Sequence, residues 1–200
     1  MIRLLCATGN PGKLREFRLA AGLAPVDIEL LPGFPQIEPC EENGRTFEEN
    51  AEIKALHYGR HASGLLFADD SGLEVDALGG APGVYSARFS LLEPPVPGPS
   101  LPVDEANNRL LLDKLRGVED RSARFVCAIA LVEDGRVRGT WRGAVEGAII
   151  DEPRGHGGFG YDPLFYCPQV GSTFGEAGQE QKFAVSHRGQ ALRKMIAALG

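Results

Sequence analysis

The chain is poor in the features that mark secreted, membrane-spanning and nucleic-acid-binding proteins. It has four cysteines, Cys6, Cys40, Cys127 and Cys167, with no C-x-x-C pair among them. That spacing argues against disulfides and predicts buried, reduced thiols, as in a cytoplasmic protein. No stretch approaches the roughly 20 apolar residues that span a bilayer. The opening MIRLLCATGNPGK breaks a short apolar run with a Gly/Asn/Pro turn, so it reads as folded structure and not as a signal peptide. Basic runs are absent too: 21 Lys and Arg stand against 27 Asp and Glu, for a net charge of −6. A duplex-binding face needs clustered cations, so no nucleic-acid polymer is expected as a partner. A small anionic ligand stays compatible if a divalent cation and a few local lysines or arginines offset its charge. There is no internal repeat.

What is present fits a globular protein. Hydrophobic residues make up 43% of the chain and charged ones 24%, which suits one domain or two tightly joined lobes. Residues 2–7 read as a buried strand. Asn10 caps a helix that Pro11 opens and that runs to about Ala21. A strand at 25–31 and an irregular acidic loop at 32–45 follow. Thr46 and Glu49 have capping-box spacing, and Phe47, Ala51, Ala55, Tyr58 and Ala62 form one helical stripe. LLFA (65–68) reads as a short strand ending at Asp69-Asp70-Ser71-Gly72; Leu73, Val75 and Ala77 then alternate as in a half-buried strand. Five prolines in 91–103 argue against a regular element there. Asp104 caps a helix through Leu115, closed by Gly117. Strands at 122–132 and 137–149 flank a hairpin turn, a glycine-rich loop at 155–163 precedes a strand near 164–167, and Ser186 caps the last helix. The mixture predicts an α/β fold on a mixed sheet.

Five places carry candidate chemistry. Thr8, Gly9, Asn10, Pro11, Gly12 and Lys13 lie between a strand and a helix start, where unpaired N–H groups and the helix dipole favour a phosphate. A plain capped turn with a solvated lysine explains the same residues. At Asp69-Asp70-Ser71-Gly72, adjacent side chains of an extended backbone point to opposite faces, so one carboxylate can meet a ligand while the other braces the fold. Hard oxygen donors suit Mg²⁺ and an attacking water; an Asx-type turn is the bland equivalent. Glu41 and Glu42 precede the helix that carries Asn50 and, on its inward stripe, Lys54. That lysine either snorkels outward or aims its ammonium at something anionic. GGFGYDP (157–163) permits close backbone approach, with Phe159 and Tyr161 as ring surfaces for a base, or is a structural turn. Lys182 with Ser186-His187-Arg188-Gly189 sets donors beside a further helix start.

Each signal is modest alone, but their order is specific. ATGNPGK, TFEENAEIKA, FADDSGLEVDALGGAPGVYSARFS, GGFGYDPLF and SHRGQAL together resemble the noncanonical purine nucleoside triphosphate pyrophosphatases, the XTP/dITP diphosphatase and inosine triphosphatase group, from Leu4 to Leu192. The resemblance implies an elongated mixed β-sheet with helices forming two lobes around a central cleft. It implies one domain over residues 1–200, with lobes that are not independent, and a homodimer. By position, Thr8, Gly9, Asn10, Pro11, Gly12 and Lys13 correspond to the triphosphate grip. Asp70 corresponds to the general base and Mg²⁺ ligand, Glu42 to a second metal contact, Asp69 to a supporting carboxylate, and Lys54 and Ser71 to substrate contacts. Phe159, Gly160, Tyr161 and Asp162 correspond to the nucleoside wall, and Lys182, His187 and Arg188 to the part that reads the base and supports the phosphates.

The implied reaction is Mg²⁺-dependent hydrolysis of dITP, ITP or XTP to the monophosphate and pyrophosphate. Hypoxanthine and xanthine carry a 6-keto acceptor that donors near His187 and Arg188 would meet. Adenine would leave such donors unpaired, at roughly 1–3 kcal/mol each. Two rival readings are a house-cleaning pyrophosphatase for modified pyrimidine nucleotides and a non-catalytic nucleotide sensor. Two places depart from the family pattern: segment 91–103 matches none of its motifs, and Phe183 follows Lys182 where a polar residue is expected.

Overall fold

The computed structural model describes residues 1–94 and 101–200. Among these, seven strands form one mixed sheet in the order β2-β1-β3-β4-β5-β6-β7. The chain divides into two compact units, Met1–Ser71 with Val126–Ala144 and Phe183–Gly200, and Gly72–Phe125 with Val145–Lys182.

In the first unit, β1 (Ile2–Cys6) pairs in parallel with β2 (Val26–Leu30) and β3 (Leu66–Val75). Helix α1 (Pro11–Ala21) connects β1 to β2, as parallel neighbours require a crossover. Its N-cap is Asn10, as the sequence predicts. Helix α2 (Phe47–Gly59) starts at Thr46, whose hydroxyl accepts from the Glu49 N–H. The Glu49 carboxylate reaches back to the Arg45 N–H instead of the Thr46 N–H of a regular capping box. Strands β4 (Ser122–Glu133) and β5 (Arg136–Ile149) are joined through Asp134 and Gly135, both at positive φ, as a tight hairpin turn needs. The last helix, α5 (His187–Ala197), is capped by Ser186. Leu4, Cys6, Phe17, Ile28, Phe67, Cys127, Ile129, Leu192 and Met195 share one buried cluster. All four cysteines are free, and only Cys40 is not buried.

The second unit is built around Phe125, Phe165 and Phe174, whose ring centroids lie 4.5–5.9 Å apart. Strand β6 (Phe165–Cys167) pairs antiparallel with β5 and with the two-residue β7 (Ser172–Thr173). Helix α3 (Val103–Lys114) lies against the 3₁₀ segment Gly83–Leu92. A short helix α4 (Gln179–Val185) carries Lys182 at its centre.

Several expectations need correcting. The strand does not stop at Asp69-Asp70: β3 runs unbroken through both, through Ser71 and Gly72, to Val75. A turn is unnecessary because tertiary partners satisfy both carboxylates. Ala77 lies in a 3₁₀ turn (Asp76–Leu78), beyond the strand. The proline-rich segment is narrower than expected, since Leu91 and Leu92 end the 3₁₀ segment and Val103 already belongs to α3. Residues 95–100 of that segment lie outside the described residues. Pro102, with an extended ψ, takes the cap position assigned to Asp104, which lies in the first turn of α3. Helix α4 and strand β7 are too short to leave a periodic signal.

Gly72 is the close-approach position of β3. A Cβ there would strike the Ser86 hydroxyl and come within 2.7 Å of the Gly83 carbonyl oxygen. Ser86 cannot yield easily, because its hydroxyl accepts from the Leu73 N–H and donates to the Gly83 carbonyl. Gly72→Ala is expected to lower stability by about 1–3 kcal/mol through overpacking. A urea unfolding midpoint equal to that of the parent would contradict this contact.

Candidate active site

The end of β1 delivers the first candidate loop. Ala7 still bonds to the strand, its N–H donating to the Phe67 carbonyl at 2.9 Å. The chain then turns, with the Asn10 N–H donating to the Thr8 hydroxyl at 3.2 Å. Asn10 Oδ1 accepts from the N–H groups of Gly12 (2.8 Å) and Lys13 (3.3 Å). Two helix-start N–H groups expected to point at a phosphate are therefore already bonded by the cap. Gly9 faces the Phe34 ring, which a Cβ would approach to 3.4 Å.

Asp69 and Asp70 follow the alternation of a strand and have separate partners. Asp69, 4% exposed, takes the Lys13 ammonium at 2.8 Å and the Ser71 hydroxyl at 3.1 Å, both on Oδ2. Asp70 takes the Lys54 ammonium on Oδ1 at 2.9 Å and the Asn50 amide on Oδ2 at 3.1 Å. Lys54 also reaches Glu42 Oε2 at 3.1 Å. The inward lysine of α2 thus aims at two carboxylates and does not snorkel. Asn50 is in turn held by the Gly44 N–H at 2.8 Å, which ties the acidic loop to the helix.

Burial and charge push these groups in different directions. Burial alone would raise the Asp69 carboxyl, but Lys13, Lys54 and Arg188 outweigh it and hold it below the ordinary 3.8. Burial raises Asp70 above 3.8 despite the opposing pull of Lys54 and Lys13. Burial would lower Lys54, but Asp70, Asp69 and Glu42 raise it, so its charge is secure. Asp69 is the committed anion of the pair, and Asp70 the one closer to accepting a proton.

The donor set around Lys54 bears on a metal. Two hard carboxylate oxygens, from Glu42 and Asp70, converge on one cationic nitrogen. Among the described residues no group of three or more His, Cys, Asp or Glu could hold an ion. The pair of carboxylate oxygens is a donor set of the kind Mg²⁺ accepts, since this ion keeps water and substrate phosphates in its shell and takes only one or two protein carboxylates. It does not suit an all-protein cage.

The start of α5 enters the same unit. Arg188 is buried and donates to Glu16 of α1 at 2.8 Å and to the Ser71 hydroxyl at 3.0 Å. A chain of contacts therefore runs Glu16–Arg188–Ser71–Asp69–Lys13. His187 is buried beside it. Glu16 escaped the sequence reading. Its only signal is local: no Lys or Arg lies three or four positions away except Lys13, which is engaged by Asp69. Phe183 is buried, a core residue at the departure from the family pattern.

The glycine-rich loop is organised within the second unit. Asp162 Oδ2 takes the Lys182 ammonium at 2.6 Å and the Phe159 N–H at 2.9 Å. The same ammonium lies 5.3 Å from the Phe159 ring centroid. Tyr161 is 4% exposed, and its hydroxyl donates to the Ser86 carbonyl at 2.9 Å. Its ring is buried, and Phe159 is half-buried. Gly158 needs both its positive φ and its missing Cβ, which would collide with Asp162.

Comparison with known proteins adds an independent line. The model of the Ham1 family matches residues 4–198. The dITP/XTP pyrophosphatase of Acidobacterium capsulatum is 50% identical over 199 residues, 99% of this chain and 98% of that one. That of Thermus thermophilus is 48% identical, over 98% of this chain and 91% of that one. The Ham1 protein structure from Coxiella burnetii superposes with a TM-score of 0.83 at 38% identity, covering 100% of this chain and 98% of that one. The Staphylococcus aureus Ham1 protein gives 0.82 at 37%, covering 98% and 97%.

The Lys13–Asp69 pair yields a test. Lys13→Met strands a buried carboxylate, at a cost of about 2–4 kcal/mol at neutral pH, somewhat under the fully buried case because the Lys13 side chain keeps 18% exposure. The folded Asp69 value is depressed, so its contribution is present above 3.8 and is lost as pH falls through the lower folded value. The gap between parent and variant should therefore narrow in acid below 3.8. A gap constant from neutral to acid pH would show that the pair does not stabilise the fold.

Proposed function

Because the chain belongs to the Ham1 family, matched over residues 4–198, we propose that it hydrolyses noncanonical purine nucleoside triphosphates, dITP, ITP and XTP, to the monophosphate and pyrophosphate. Relatives of nearly full-length similarity named dITP/XTP pyrophosphatase support the reaction and the substrate class. The observation that carries the reading in this chain is the split pair on β3: one carboxylate paired with Lys13, its neighbour with Lys54 and, through it, Glu42.

In the proposed mechanism Asp70 is the general base. It orients a water and takes its proton as the water oxygen attacks the α-phosphorus. The α–β phosphoanhydride bond breaks, and pyrophosphate leaves with its electron pair. Of the two carboxyls, Asp70 is the one burial raises and Asp69 the one its cations hold down, so Asp70 is the better proton acceptor. Asp69 supports it by fixing Lys13 and Ser71. Lys13 and Lys54 offset the charge of the phosphate chain, together with Thr8, Gly9, Asn10, Pro11 and Gly12 at the helix start. Mg²⁺, held by Asp70 and Glu42, would neutralise charge on the phosphate oxygens. Phe159 offers the base a ring, with Gly160, Asp162 and Lys182 behind it. His187 and Arg188 are the proposed readers of the 6-keto oxygen. No covalent intermediate is needed.

Among the described residues no helix is long and apolar enough to cross a membrane. The family resemblance supports a cytoplasmic homodimer, which sedimentation of the purified chain addresses.

With Mg²⁺ supplied, dITP should be turned over at least about tenfold faster than dATP, as expected from one mispaired buried donor, and the product should be pyrophosphate. Equal turnover, or release of orthophosphate, would overturn the substrate reading. Asp70→Asn keeps the shape and removes the base, so kcat should fall at least about a hundredfold in folded protein, with some loss of stability because Lys54 loses one of its two carboxylate partners. Activity near that of the parent would remove Asp70 from its role. Chelation by EDTA should abolish turnover, and added Mg²⁺ should restore it.

A further inference from the structure

The loop that carries Phe159 is built from the residues least able to hold a position. Gly157, Gly158 and Gly160 flank the ring within four residues, and Gly160 sits at φ +62°. Glycine loses more backbone freedom on ordering than any other residue, so a ring mounted on such a segment needs external restraint. Two side chains of α3 supply it. Asp104 Oδ2 accepts from the Gly160 N–H at 2.9 Å, and Asn108 Nδ2 donates to the Gly160 carbonyl at 3.0 Å. The two residues are four apart on one helix and so share a face. The N–H and the carbonyl belong to the two peptide planes on either side of the Gly160 Cα. Holding both fixes φ and ψ of that residue together. On the other side, Asp162 holds the Phe159 N–H, and Tyr161 is anchored to the Ser86 carbonyl.

We propose that Asp104 and Asn108 are positioning residues of the nucleoside site, a clamp on Gly160 that fixes the Phe159 ring where the purine stacks. The proposal rests on the reading of the Phe159 loop as the nucleoside wall. It gives α3 a functional face that the motifs of the sequence did not reveal. The clamp acts on binding of the base and not on the chemistry at the α-phosphorus, so its loss appears in KM and spares kcat.

Steady-state kinetics with dITP on the full chain tests it, alongside hydrogen exchange of the peptide spanning 157–163. Asp104→Ala and Asn108→Ala should each raise KM about tenfold, the effect of one lost hydrogen bond, with kcat within about twofold. Exchange in the loop should quicken in both. Asp104→Asn keeps an acceptor for the Gly160 N–H and should restore KM. Glu105→Ala removes the neighbouring acidic residue of the same helical turn and should leave KM and loop exchange unchanged; an effect equal to that of Asp104→Ala would assign the result to helix stability and overturn the clamp. Faster exchange with an unchanged KM would overturn the positioning role, since the loop would then be held without consequence for binding. If the parent itself fails to turn over dITP, the functional reading fails first, and unchanged loop exchange in both alanine variants would separately refute the clamp.

Discussion

The structure depends on a property of extended backbone: consecutive side chains leave a strand in opposite directions. Asp69 and Asp70 are covalent neighbours, yet they reach different lysines on different helices. Two buried anions on one side of a sheet would repel each other and share one cation. Placed on opposite sides, each recruits its own, and the two side chains diverge chemically. One is pinned as an anion, and the other is left closer to proton exchange.

Desolvation sets the terms for everything near that pair. A buried carboxylate without a partner would be strongly destabilising, so Lys13 and Lys54 are required by the fold as much as by any ligand. Lys54 also links Glu42 to Asp70, and Asn50 ties the acidic loop back to α2. The proposed polyphosphate and divalent ion would meet charges that this unit already balances internally.

The second unit solves a different problem, that of holding a flexible segment still. Its loop owes its shape to glycines at positive φ, and each gain in conformational reach costs entropy on ordering. Buried polar contacts from Asp162, Lys182, Tyr161 and Ser86, together with the α3 side chains, replace the restraint that side-chain packing gives elsewhere. Tyr161 illustrates the trade, since its hydroxyl anchors the loop to the Ser86 carbonyl.

Much of the fold was legible in the sequence because it rests on local rules. The Asn10 cap, the Thr46 start of α2, the Asp134-Gly135 hairpin turn and the Ser186 cap involve partners within four residues. The motif order identified the family, strand alternation separated the two carboxylates, and the helical stripe placed Lys54 inward, leaving only its partner open. Tertiary structure alone decided the rest. It carried β3 straight through Asp69-Asp70-Ser71-Gly72, because lysines 56 and 16 residues away satisfy the carboxylates that would otherwise favour a turn. It paired Glu16 with Arg188 across 172 residues, and it set α3 against Gly160. Such contacts leave no periodicity in the chain, since the energy that selects them exists only once burial has removed water from both partners.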